Sequence, residues 1–191
     1  MILMNIIKVI KRIFFAAILI SIINYNVICE EYKWNKPSRK KDPIASTDAV
    51  KGGSINIYSG QSPKSLNYYL DNNTFSLNIF TSLFDTLLNM DPLTSEYSPS
   101  IAEKWAITED GLSYIFQIDK KARWSDGKGV TSADIKFTCD AIMDPKNLTG
   151  VHKVGLEIFQ TPQIIDTYTI KFTAREKHWK NMLELSGLII L

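Results

Sequence analysis

Metal and redox chemistry have almost nothing to work with in this chain. Its 191 residues include two cysteines, Cys29 and Cys139, and two histidines, His152 and His178, which stand 26 positions apart with no cysteine beside either. Zinc sites need three or four such ligands, usually at short spacings, so no metal and no cofactor is expected. The nucleophile and metalloprotease motifs GxSxG and HExxH are missing, as are CxxC and GxxxxGK[ST]. Gly52-Gly53 precedes an apolar alternation instead of following one, which excludes a phosphate loop. Asp126 and Asp134 are conceivable as paired carboxylates. Asp126, however, stands before a glycine in a turn-like stretch, and Asp134 lies where a helix start favours negative charge. No catalytic set is left, and an enzyme is not expected.

A membrane-spanning apolar run is also missing. The longest, Ile13 to Ile23, has eleven residues and would rise about 16 Å as a helix against a hydrocarbon core of roughly 30 Å. It follows Lys8, Lys11 and Arg12 and precedes a polar stretch, the order of a secretory signal peptide over residues 1–29. Two processing readings stay open. Val27 and Cys29 fit the positions before a general signal peptidase cut, or Cys29 itself carries a lipid. Without residues 1–29 the chain loses three cations and no anion, leaving 19 Lys+Arg against 20 Asp+Glu, a net charge of −1. The basic balance belongs to the leader, and nucleic acid is excluded as an expected partner. Cys139 is then alone, and burial in a helix is the expected place for it.

What is present is an ordinary globular composition, 45% hydrophobic and 11% aromatic. Residues 30–51, with two prolines and the cluster Arg39-Lys40-Lys41, read as a linker. Ile55 and Ile57 alternate within SINIY, which predicts a strand over 54–58. Phe75, Ile79, Phe80, Leu83, Phe84, Leu87 and Leu88 recur at helical spacing behind Asn72 or Asn73 as a cap, with core packing as the simplest account of the stripe. Ser98-Pro99 predicts a short helix ending near Lys104. Residues 105–108 then face the alternating Leu112, Tyr114, Phe116 and Ile118 across a hairpin, with Gly111 at the left-handed turn position. In ARWSDGKGVTSADI (122–135) the Ser-Asp-Gly-Lys piece turns the chain. Thr131 and Asp134 form a variant capping box for a helix from Ser132 to Met143, and Trp124 is expected to pack the junction. Residues 166–172 alternate as a strand, and 179–185 read as a helix. The closing GLIIL reads as a strand or core segment whose partners are missing.

Residues 98–140 closely resemble the signature region of the family 5 extracellular solute-binding proteins, the peptide-type binding components of ABC importers. The shared pieces are Ile101-Ala102-Glu103-Lys104-Trp105, the run from Asp110 through Gly111 and Tyr114 to Phe116, Trp124-Ser125-Asp126-Gly127, and the stretch Thr131 to Ile135. GGSINIYSGQSPKSLN, SLFDTLLNMDP and DTYTIKF are similar to the family's first strand and loop, a following apolar segment and a later strand. The resemblance runs from about Gly52 to Leu191. Gly129 stands where the family often has proline, and members run to several hundred residues in two lobes. The resemblance thus implies an α/β chain forming an incomplete N-terminal lobe over 52–191. This would be a partial first lobe of a two-lobed type II periplasmic binding protein of the peptide-binding cluster, with a mixed sheet, hairpins and flanking helices. It implies an oligopeptide ligand and, as partners, an ABC permease with its ATPase subunits. It also implies residence in the periplasm or on the outer face of the envelope, with membrane contact only through the leader or a lipid anchor. The ligand-facing residues by resemblance are Tyr69, Asp71, Asn72, Asn73 and Thr74, a loop and helix start able to meet a carboxylate or carbonyl. A second reading, an exported paralogue or surface interaction module without transport activity, stays open.

Overall fold

The strongest sequence signal, the hairpin around Gly111, sits at the centre of the fold. In the computed structural model, strands β3 (Ala102–Ile107) and β4 (Ser113–Ile118) pair antiparallel, with Trp105 opposite Phe116, and Gly111 has φ 69° at the turn. Only glycine takes that conformation without strain. The structure describes residues 32–38, 46, 48–58, 60, 62–65, 67–70 and 73–191. The expected leader, residues 1–29 with Cys29, and the Arg39-Lys40-Lys41 cluster lie outside the described residues.

Ahead of the hairpin come α1 (Thr74–Leu83) and a two-stranded antiparallel pair, β1 (Leu88–Met90) with β2 (Tyr97–Pro99). After it come α2 (Ser132–Met143), α3 (Gly150–Leu156), the hairpin β5 (Gln163–Asp166) and β6 (Thr169–Thr173), and α4 (Lys180–Ser186). The main sheet has the order β3-β4-β6-β5. All pairings among the described strands are antiparallel, so the parallel part of the expected mixed sheet is not among them. Residues 33–191 form one compact unit. No helix among the described residues is long and apolar enough to cross a membrane.

The core lies between this sheet and α2. Phe116 of β4, which pairs with Ile170, meets Phe172 of β6 diagonally, edge to face at 5.9 Å, and Phe159 adds a third ring 6.2 Å from Phe172. Ile135, Cys139 and Ile142 supply the buried stripe of α2. Full burial of side chains of this size contributes about 1.5–3 kcal/mol each. The start of α2 is tied to the β5–β6 turn. Ser132 N donates to Thr167 O at 2.9 Å, and Ser132 Oγ donates to Asp166 O at 2.6 Å. Asp134 Oδ2 accepts from Thr131 N at 2.7 Å, so the aspartate does serve the capping role.

Four local expectations need correction. Residues 54–58 form no strand. Ile55 and Ile57 are 83% and 76% exposed, and alternation without a neighbouring strand leaves the backbone unpaired. Ser98-Pro99 does not start a helix but ends β2, because residues 97–99 find a ready partner in β1. The stripe from Phe75 to Leu88 is not one helix. Phe84 is already extended at the end of α1, and Leu87 and Leu88 reach the core from β1 and its approach. The closing GLIIL does not lack partners. Leu188 O accepts from Leu87 N, Ile189 bridges Thr86, and Leu191 N donates to Thr138 Oγ1 at 2.8 Å. Leu188, Ile189 and Ile190 are buried there. Part of the expected linker is also used structurally. Asn35 exchanges backbone hydrogen bonds with Trp105, at 2.7 and 3.1 Å, along the otherwise open edge of β3.

Candidate functional site

Asn73 caps α1 through its side chain, which accepts from Ser76 N at 2.8 Å, and Thr74 begins the helix in an exposed position. The first turn holds no acidic residue, so the positive end of the helix dipole is not offset from within. Asp71 and Asn72 lie outside the described residues. Tyr69 differs from these two in its environment. It is buried, and its hydroxyl donates to Ile189 O. Burial pushes its hydroxyl pKa well up, with Tyr68 and Cys139 adding to the shift. The five ligand-facing residues implied by the resemblance are therefore divided. Asn73 and Thr74 sit at the helix start, and Tyr69 anchors the segment from inside.

Tyr69 also walls a concavity of about 730 Å³, within the usual size range of ligand pockets. Its far side is formed by α3 and α4. His152 of α3 packs against both tyrosines, at 5.0 Å from Tyr68 and 4.8 Å from Tyr69 between ring centroids. Burial holds its imidazole below the usual range, while the charge of Glu184 opposes that shift. His152 Nε2 and Asn181 Oδ1 are buried without a hydrogen-bond partner. The other amide atom, Asn181 Nδ2, donates to Glu176 O at 2.9 Å. The sequence reading passed over this site. Helix α3 carries no long apolar stripe, and His152 and Asn181 lie 29 positions apart. The only local hint was Thr149-Gly150, a possible helix start.

A second concavity, of about 500 Å³, includes Arg123 and Trp124 from the conspicuous stretch 122–135. Arg123 is committed to the backbone, with Nη1 donating to Lys120 O at 2.6 Å and Ala122 O at 2.8 Å. Trp124 is half-buried against the core, and Gly127 has φ 86° in the turn that follows. Asp126 is exposed. The Lys128 side chain, then the Lys128 backbone N–H, holds its carboxyl below the usual range. Cys139 is a free buried thiol, pushed up to about 12 by burial and then by Asp140. Among the described residues no group of three or more His, Cys, Asp or Glu could hold a metal ion. Neither feature brings a nucleophile to a base.

Comparison with known proteins gives a consistent picture. Residues 96–190 match the family model described as bacterial extracellular solute-binding proteins, family 5 Middle. The chain is 30% identical over 123 residues to the oligopeptide-binding protein AliB of Streptococcus pneumoniae, across 60% of this chain and 19% of AliB. It is 35% identical over 147 residues to AliA of the same species, across 66% of this chain and 22% of AliA. The chain thus spans about a fifth of the length of these relatives. Among solved structures, Haemophilus influenzae OppA in complex with RPPGFSPFR superposes with a TM-score of 0.62 at 22% identity, covering 69% of this chain and 29% of OppA. At that identity the likeness establishes the fold.

Proposed function

Belonging as it does to family 5 of the bacterial extracellular solute-binding proteins, the chain, we propose, carries part of a peptide-capturing component of an ABC importer. Proteins of this family bind solutes and are not enzymes. The observation that carries the proposal is the match over residues 96–190, together with AliB and AliA, which are named for oligopeptide binding. Within this reading a peptide is captured outside the cytoplasm and delivered to a membrane permease whose ATPase subunits drive uptake. Residues 1–29 act as the export signal, and residues 30–51 link it to a solute-binding lobe over 52–191. Asn73 and Thr74, with Asp71 and Asn72 before them, offer backbone N–H groups to a ligand carboxylate or carbonyl, and Tyr69 holds that segment in place. Such a site works by desolvating its ligand between two surfaces, of which these residues supply one.

Thermal unfolding of the 191-residue chain against a library of two- to five-residue peptides tests the reading. Stabilisation by a subset of peptides, rising with concentration as mass action requires, is the expected result. A library in which no member raises the midpoint overturns it and favours an interaction module without transport activity.

A further inference from the structure

We propose that the pocket between Tyr68-Tyr69 and helices α3 and α4 binds a primary ammonium group carried on an apolar body. The assignment rests on the polar atoms in its wall. Asn181 is 1% exposed, and its orientation is fixed because Nδ2 must face the carbonyl of Glu176, which can only accept. Its Oδ1 is thereby an acceptor with no donor. An unmatched buried acceptor costs about 1–3 kcal/mol, and a ligand donor would recover that cost. His152 Nε2 is the second unmatched atom. Glu184 is the third element. Its Oε2 lies 2.5 Å from where a Cβ on residue 155 would stand, so glycine at 155 leaves room for the carboxylate in this position. Glu184 forms no ion pair with a described residue.

The other polar side chains with ionisable groups on the wall are Glu176, Lys180 and His178. Lys180 Nζ lies 5.5 Å over the Trp179 ring. The wall therefore presents two carboxylates against one ammonium, with an amide oxygen and the imidazoles of His152 and His178 beside them. Tyr68 and Tyr69 add aromatic surface to the same wall. Val151, Val154 and Leu183 supply apolar surface for the body of the ligand. An anion would meet Glu184 and gain nothing from Asn181. The inference stands on the pocket alone and does not depend on peptide import. An aralkyl amine and the amino end of an apolar peptide carry the same chemistry.

The test is calorimetric and NMR titration of the full chain with phenethylammonium chloride and with trileucine. Their neutral counterparts, 2-phenylethanol and N-acetyl-trileucine, serve as controls. At least one ammonium probe should bind about tenfold or more tightly than its neutral counterpart, the range of a charge-assisted hydrogen bond, and should shift the His152 ring resonances. Glu184→Gln should remove most of that preference while leaving the unfolding midpoint in place. Equal binding of charged and neutral probes, or no perturbation of His152 at millimolar ligand, overturns the proposal. Peptides that bind without responding to acetylation or to Glu184→Gln leave the importer reading standing and refute this one. Phenethylammonium binding here without any peptide binding does the reverse.

Discussion

Residues 54–58 and strand β4 carry the same alternating pattern and end in opposite environments. Ile57 is 76% exposed, whereas Phe116 is 0% exposed. β4 lies between β3 and β6, and its side chains meet α2 and the Phe159–Phe172 cluster. The stretch 54–58 has no strand beside it among the described residues. A period of two specifies which side chains share a face. It does not supply the neighbour that makes a strand worth forming.

The largest test of that contrast is Phe116→Ala. It should cost about 3–5 kcal/mol, because it opens a cavity in the packed ring cluster. Urea unfolding should show a lower midpoint with little change in slope. A loss under 1 kcal/mol would mean that the sheet is not the stabilising centre. Asn73→Ala probes the boundary between the two regions. Loss of the cap on Ser76 N should cost about 1 kcal/mol. It should also raise amide exchange across residues 74–83 without altering β3 or β4.

His152 gives the contrast a pH dependence. Its folded pKa lies below the ordinary 6.5 because of burial, with Glu184 opposing and Tyr68 and Tyr69 packed on the ring. The unfolded chain therefore binds this proton more readily. The associated stability is fully present above pH 6.5 and is lost as pH falls toward the folded value. In His152→Phe the rings stay packed and this decline should disappear. An unchanged decline in the variant would assign it to other groups. The smallest effect belongs to Ile57→Ala, expected within about 0.5 kcal/mol of the parent. A larger loss would show that the 54–58 stretch is packed after all.

Much of the fold was legible in local chemistry. Gly111 and Gly127 marked turns that only positive φ closes. Thr131 and Asp134 marked a helix start, and Asp144-Pro145 its end. Ser98-Pro99 misled because proline suits a strand end as well as a first helical turn, and the choice fell to β1. The apolar ending misled for a related reason. Hydrophobicity signalled that 187–191 must be buried, but Thr86, Leu87 and Thr138 were not recognisable as its partners. The candidate site was the least legible part. Tyr69, expected to face a ligand, gives its hydroxyl to Ile189 O and lines the pocket beside α3 and α4. His152, Asn181 and Glu184 carry no motif.

By itself the sequence carried the resemblance to the family, through the ordered pieces between Ser98 and Asp140, and the hairpin, turn and cap that those pieces build. These depend on neighbours within a few residues, where backbone conformation and short-range hydrogen bonds decide. Only the tertiary structure decided which alternating stretch became a strand and where the last five residues are buried. It also decided which polar groups share the pocket against Tyr69. Those outcomes depend on contacts between segments as much as 120 positions apart, and no local pattern encodes which distant surface will be there to meet.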